Sequence, residues 1–212
     1  MMKRRKKRIP GLTGRKGNVV SYMLNGEYVE RTIGVITKAP TKLQLIGRSK
    51  MAIANDLLKP VREFIEIGFS MQKKDPFDNC HNLAKSHIML RAIGGEYPHL
   101  EVDFSKVLFS EGNIPPNPEA QVRVVENGLE FCWDQELMIR GMSANDQVMM
   151  LAYCPEKESA FYQIAGSRRD TGKDFLEVAA YNQPVTLEVY LCFVAANRKS
   201  ISNSVYIGHR KF

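Results

Sequence analysis

The chain has 212 residues, 44% hydrophobic and 25% charged, with a formal net charge of +7. That composition can fill a core without disulfide staples, and no apolar run reaches the length of a transmembrane helix. The charge is concentrated: Lys3, Arg4, Arg5, Lys6, Lys7, Arg8, Arg15 and Lys16 all precede the first acid, Glu27, and without these eight the other 22 Lys+Arg nearly balance 23 Asp+Glu. Such a cationic run cannot bury itself and must face water or a polyanion.

Residues 1–17 read as a basic flexible arm punctuated by Gly11, Gly14 and Gly17. The leading cations look like the start of a signal peptide. Pro10, Gly11, Thr13 and Gly14 then stand where its apolar stretch should be, so export by that route is not expected. The expected location is the cytoplasm or a nucleoprotein particle. A hairpin follows: Val19–Leu24 and Glu27–Ile33 flank Asn25-Gly26, the pair that best fits a two-residue type I′ turn. That turn sets Leu24 opposite Glu27 and Tyr22 opposite Val29.

Helical signals come next. Thr41 and Gln44 make a capping-box pattern, with Thr41 as N-cap. Ala54, Leu57, Leu58, Val61, Phe64, Ile65, Gly68 and Phe69 keep one face at helical spacing, straight through Pro60. Proline removes a backbone donor and clashes with the preceding turn, so a kinked helix or two abutting helices are expected. A further helix is expected to start at Asp75-Pro76-Phe77-Asp78 with Asp75 as N-cap, to carry Phe77, Cys80, Ala84 and Ile88 on its apolar face, and to stop at Gly94-Gly95.

From Leu100 the period changes to two. Val102/Phe104 and Val107/Phe109 alternate one register apart, which predicts a bulge near Ser105-Lys106. Gly112–Pro118 reads as a loop. Strands are predicted at Val122–Val125, Leu129–Trp133, Val148–Tyr153, Ala160–Ile164, Phe175–Ala179, Thr186–Ala195 and Ser202–Ile207. Short strands with frequent turns argue an antiparallel β-sandwich. The expected fold is α+β: an arm (1–17), a hairpin with two to three helices (18–95), and a sandwich (100–212).

Candidate chemistry is sparse. Cys80, Cys132, Cys154 and Cys192 lack the close spacing of a zinc ribbon or redox pair and read as reduced thiols. Alternation places Cys132 and Cys192 on the outward faces of opposite sheets, which argues against a disulfide between them. His81 and His87 are six apart and do not share a helix face, unlike metal pairs at i, i+4. Gly11–Gly17 lacks the phosphate-loop pattern and reads as a hinge whose Arg15 and Lys16 could still meet a phosphate. Arg168-Arg169, next to Asp170, reads as a solvated turn. No nucleophile motif stands out, and no metal or cofactor is expected.

Two resemblances complete the reading. Gly14–Val19, Asn25-Gly26 with Arg31, Lys59–Arg62, Ile67–Phe69, Gly95–Pro98, Asp103–Val107, Trp133 and Ser202–Tyr206 with Gly208 resemble a family of uncharacterised Bacteroidota proteins of about 200 residues. That resemblance implies no activity, and the Lys3–Arg8 run is longer than it leads one to expect. From about residue 120, Trp133 and the alternation Val189, Leu191, Phe193, Ala195, Asn197 are similar to a fibronectin type III or immunoglobulin-like sandwich. This implies a binding or spacing module rather than a catalyst. The expected function is a non-enzymatic binding or assembly protein. Its partners would be nucleic acid or another polyanion held by Lys3–Arg8, Arg15 and Lys16, together with proteins or further copies of itself, as in a nucleoprotein particle or virion. A surface or envelope adhesion module and an enzyme with a spatially assembled site are the alternatives.

Overall fold

The computed structural model describes residues 13–212. The chain divides into two compact units at Thr41/Lys42. In the first, β1 (Gly14–Lys16), β2 (Val19–Leu24) and β3 (Glu27–Thr32) form an antiparallel meander in that order. Asn25 and Gly26 both have positive φ, 49° and 78°, and Leu24 faces Glu27 while Tyr22 faces Val29, as the turn type predicts. The stretch expected to be a flexible hinge differs. Gly14, Arg15 and Lys16 pair with Ser21, Val20 and Val19, and Gly17-Asn18 form the turn that closes them. None of residues 13–41 is buried.

The second unit begins with α1 (Lys42–Leu58), directly after Thr41. Pro60 ends it: Lys59–Val61 form a 3₁₀ turn and α2 (Arg62–Gly68) resumes. The two helices share one buried face of Ala54, Leu57, Leu58, Val61, Phe64, Ile65 and Phe69, as their spacing requires. The next helix, α3 (Cys80–His87), starts later than expected. Asn79, not Asp75, is its N-cap and accepts from the His81 N–H at 2.8 Å. The Asp75 carboxylate instead accepts from the Phe77 N–H, and that of Asp78 from the Lys74 and Asp75 N–H groups. These local bonds offer the backbone an alternative to the first helical turn.

After α3 the chain makes a π-helical turn at Ile88–Ala92 and enters a hairpin of β4 (Ile93–Glu96) and β5 (His99–Val102). Gly94-Gly95 therefore lie in a strand, not at a helix stop. Gly95 has φ 84°, and a Cβ there would collide with the His99 carbonyl. The bulge predicted near Ser105 is a 3₁₀ turn at Phe104–Lys106, capped by Asp103 accepting from the Ser105 N–H.

Seven strands follow: β6 (Gln121–Val125), β7 (Gly128–Cys132), β8 (Gln147–Cys154), β9 (Ser159–Gln163), β10 (Lys173–Glu177), β11 (Thr186–Val194) and β12 (Val205–Lys211). They form two antiparallel sheets, β10-β7-β6 and β12-β11-β8-β9. Leu129, Phe131 and Trp133 from one pack with Val148, Met150, Leu187, Val189, Leu191 and Phe193 from the other. The opposite face of the four-stranded sheet is covered too. Met149, Leu151, Tyr190, Cys192 and Val194 pack with Leu58, Phe64, Ile65, Ile88 and Phe109. The unit thus has three layers, helices, central sheet and outer sheet, and the class is mixed α+β.

The covering layer corrects one expectation. Cys192 does point away from the sandwich interior, but it is buried beneath the helices and its thiol is pushed up to about 12 by desolvation. All four cysteines are free. The last strand also starts later than predicted, because Ser202, Asn203 and Ser204 serve as stitches instead. They accept from the backbone N–H groups of Phe193, Gly112 and Phe109, each at 2.9 Å.

Candidate nucleic-acid interface

Of the eight cations expected to meet a polyanion, Lys3, Arg4, Arg5, Lys6, Lys7 and Arg8 lie outside the described residues. Arg15 and Lys16 lie on β1, both exposed. Strand alternation and register separate them. Arg15, Val20 and Arg31 stand in one cross-strand row, and Lys16, Val19 and Thr32 in the next. One face of the meander therefore carries Arg15, Val20, Arg31, Tyr22, Val29, Leu24 and Glu27. The other carries Lys16, Ser21, Glu30, Val19, Met23 and Tyr28.

The first face holds Arg15 and Arg31, whose backbone positions flank Val20. Arg15 donates its Nε–H to the Gly17 carbonyl at 3.1 Å, and the Arg31 guanidinium lies 5.7 Å from the centre of the Tyr22 ring. Neither makes an ion pair with a carboxylate of the described residues. Arg15 and Arg31 stand two strands apart in that row, so their charges are not in direct opposition. Sequence reasoning named Arg15 and missed Arg31 and Tyr22 as its neighbours. The signal was available, since the Asn-Gly turn already fixed the β2–β3 register. The pairing of β1 was not.

A second departure concerns Arg168-Arg169. Arg168 is exposed and pairs with Asp170 at 2.7 Å, as a solvated turn should. Arg169 is fully buried. Its Nε lies 3.4 Å from the Asp146 carboxylate, and its guanidinium stacks 3.7 Å from the centre of the Phe193 ring. Its carbonyl accepts from the Trp133 indole N–H at 2.7 Å. Desolvation lowers the pKa of Arg169 from its ordinary value, against the pull of Asp146. This arginine welds one end of the sandwich and is out of reach of any partner.

Other titratable groups among the described residues lie in the helical layer and the sandwich. His81 and His87 on α3 both have lowered pKa values, chiefly from burial. Cys80 and Cys154 are buried, and desolvation raises their thiols. Among the described residues no three His, Cys, Asp or Glu side chains converge as metal ligands. A cavity of about 330 Å³ beside α3 is lined by Lys74, Ser86, His87, Arg91 and Glu111 among others. Among the described residues no helix is long and apolar enough to cross a membrane.

Structurally, then, this is a mixed α+β protein: helices on a two-sheet antiparallel sandwich, together with a small meander carrying cations. The chain belongs to a family of unknown function (DUF6266), which it matches over residues 11–208. No curated protein and no solved structure matches it. The residues that carry the sequence resemblance fall on structural joints. Lys59–Arg62 bridge α1 and α2, Gly68 packs so closely that a Cβ would collide with the Phe109 carbonyl, Asp103 caps a turn, and Ser202–Ser204 stitch loop to strand.

Proposed function

We propose that the chain is a non-enzymatic binding and assembly protein that holds nucleic acid, or another polyanion, through its basic N-terminal segment. The observation that carries this reading is the partition of charge. Residues 1–41, up to the boundary between the two units, hold 10 Lys+Arg against 2 Asp+Glu, while residues 42–212 hold 20 against 21. A cationic segment on a nearly neutral body is arranged to grip phosphates without turning the whole surface into a non-specific binder. A two-sheet sandwich of three and four strands supports the fibronectin III or immunoglobulin-like reading of the body, and with it a role in protein contacts or self-association. A structural component of a nucleoprotein particle, a virion included, combines both properties.

The test is DNA binding by the full chain and by a chain lacking residues 1–10. If about five arm charges contact duplex phosphates, log K falls with log salt at a slope of about −4.5, largely independent of sequence. The truncated chain should bind weakly and with a shallower slope. Unchanged affinity and slope after truncation would remove the basis of the proposal.

A further inference from the structure

The meander face described above identifies the form of nucleic acid, on the premise that nucleic acid is the partner. We infer that the face bearing Arg15, Arg31 and Tyr22 is a platform for single-stranded nucleic acid. Three observations meet there. The backbone positions of Arg15 and Arg31 flank Val20 in one row, two strand spacings or about 10 Å apart, with the Arg15 side chain on the Gly17 carbonyl and that of Arg31 over Tyr22. Tyr22 is only partly buried and sits beside them with Arg31 against its ring. Val20 and Val29 are also partly buried, and Leu24 is 52% exposed on the same face. An apolar, aromatic floor edged by cations is what unpaired bases require: the ring and aliphatic surface take the base faces and the guanidinium groups take phosphates.

A duplex cannot use this floor, because its bases are already stacked on one another. Only its phosphates would engage, leaving Tyr22, Val20 and Leu24 without a role. The opposite face mixes Lys16 with Glu30 and lacks the paired guanidinium groups. Tyr22 and Arg31 thereby join Arg15 as binding residues, and the arm cations add charge without base selectivity.

The experiment is fluorescence anisotropy with the full chain, using labelled oligo-dT and a duplex of the same length across a salt series. The wild-type chain should prefer oligo-dT. Tyr22→Leu should weaken oligo-dT binding about fivefold or more, the lower end of the value of one stacked base, and change duplex binding less than about twofold. Tyr22→Phe keeps the ring and should keep the affinity, which separates lost stacking from a disturbed meander. The double variant Arg15→Gln, Arg31→Gln should flatten the oligo-dT salt slope by about 1.4. The inference falls if Tyr22→Leu leaves oligo-dT affinity unchanged or if duplex is preferred. Should truncation of residues 1–10 alone abolish binding to both probes, the arm reading stands and the platform does not. If the wild-type chain binds neither probe, both fall.

Discussion

The meander and the central sheet are both antiparallel, yet they solve opposite problems. In β8 and β11 every residue but the first is buried, because the outer sheet covers one face and the helices the other. Such strands read as continuous apolar runs, and any change in them is felt as packing. In β1–β3 nothing is buried, and the cations and aromatic rings remain available. Burial is thus concentrated in one segment and exposed charge in the other. The same residue type behaves differently in each: Arg31 lies on an exposed face beside Tyr22, while Arg169 is sealed between Asp146 and Phe193.

That division is most directly broken at Phe193, fully buried between Trp133 and Arg169. Phe193→Ala should cost about 3–5 kcal/mol in urea unfolding, through lost burial and the cavity left behind. Asp146→Ala should cost a similar amount, about 3–5 kcal/mol, because it strands the buried Arg169 guanidinium without its counter-charge. At temperatures where these variants remain folded, oligo-dT affinity should match the wild type. A parallel loss of binding would show that the two regions are not independent.

Some of this was legible in the sequence and some was not, for physical reasons. The Asn25-Gly26 turn, its register and the helix break at Pro60 follow from local backbone rules and appear as expected. The seven sandwich strands follow from alternation and apolar runs. What escaped depends on contacts distant in sequence. The burial of Cys192 needs the helical layer, and that of Arg169 needs Asp146, 23 residues earlier, and Phe193 on another strand. Ser202 keeps only an isolated bridge, its N–H donating to the Phe193 carbonyl while its hydroxyl accepts from the Phe193 N–H. Of the candidate site, composition gave the cations and the turn gave one register. The placement of Arg15 in one row with Val20 and Arg31 needed β1, whose three residues carry too little pattern to announce a strand.

The intermediate effects sharpen the comparison. Ser202→Ala leaves the buried Phe193 N–H without its 2.9 Å acceptor and should cost about 1–3 kcal/mol in the same unfolding assay. Arg15→Gln and Arg31→Gln, on the exposed meander, should each shift stability by less than about 0.5 kcal/mol while changing the salt dependence of binding. A large stability loss there would mean that the guanidinium groups hold the sheet together rather than meeting a partner.

The smallest expected effect is the pH dependence of the helical layer. His81 and His87 have folded pKa values lowered from 6.5, mainly by burial, with Lys85 and Arg62 near the first and Arg91 near the second acting in the same direction. Glu66 and Glu111 oppose the shift at each site without reversing it. Below about 6.5 the unfolded chain therefore binds protons that the folded chain resists, and stability must fall as pH drops through that range. Urea midpoints measured from pH 7.5 down to 5.5 should decline, and the decline should flatten in His87→Gln and His81→Gln. The meander contains no histidine. A pH dependence of oligo-dT binding across the same window that survives both substitutions could not come from this layer, and would place a titrating group at the binding face itself.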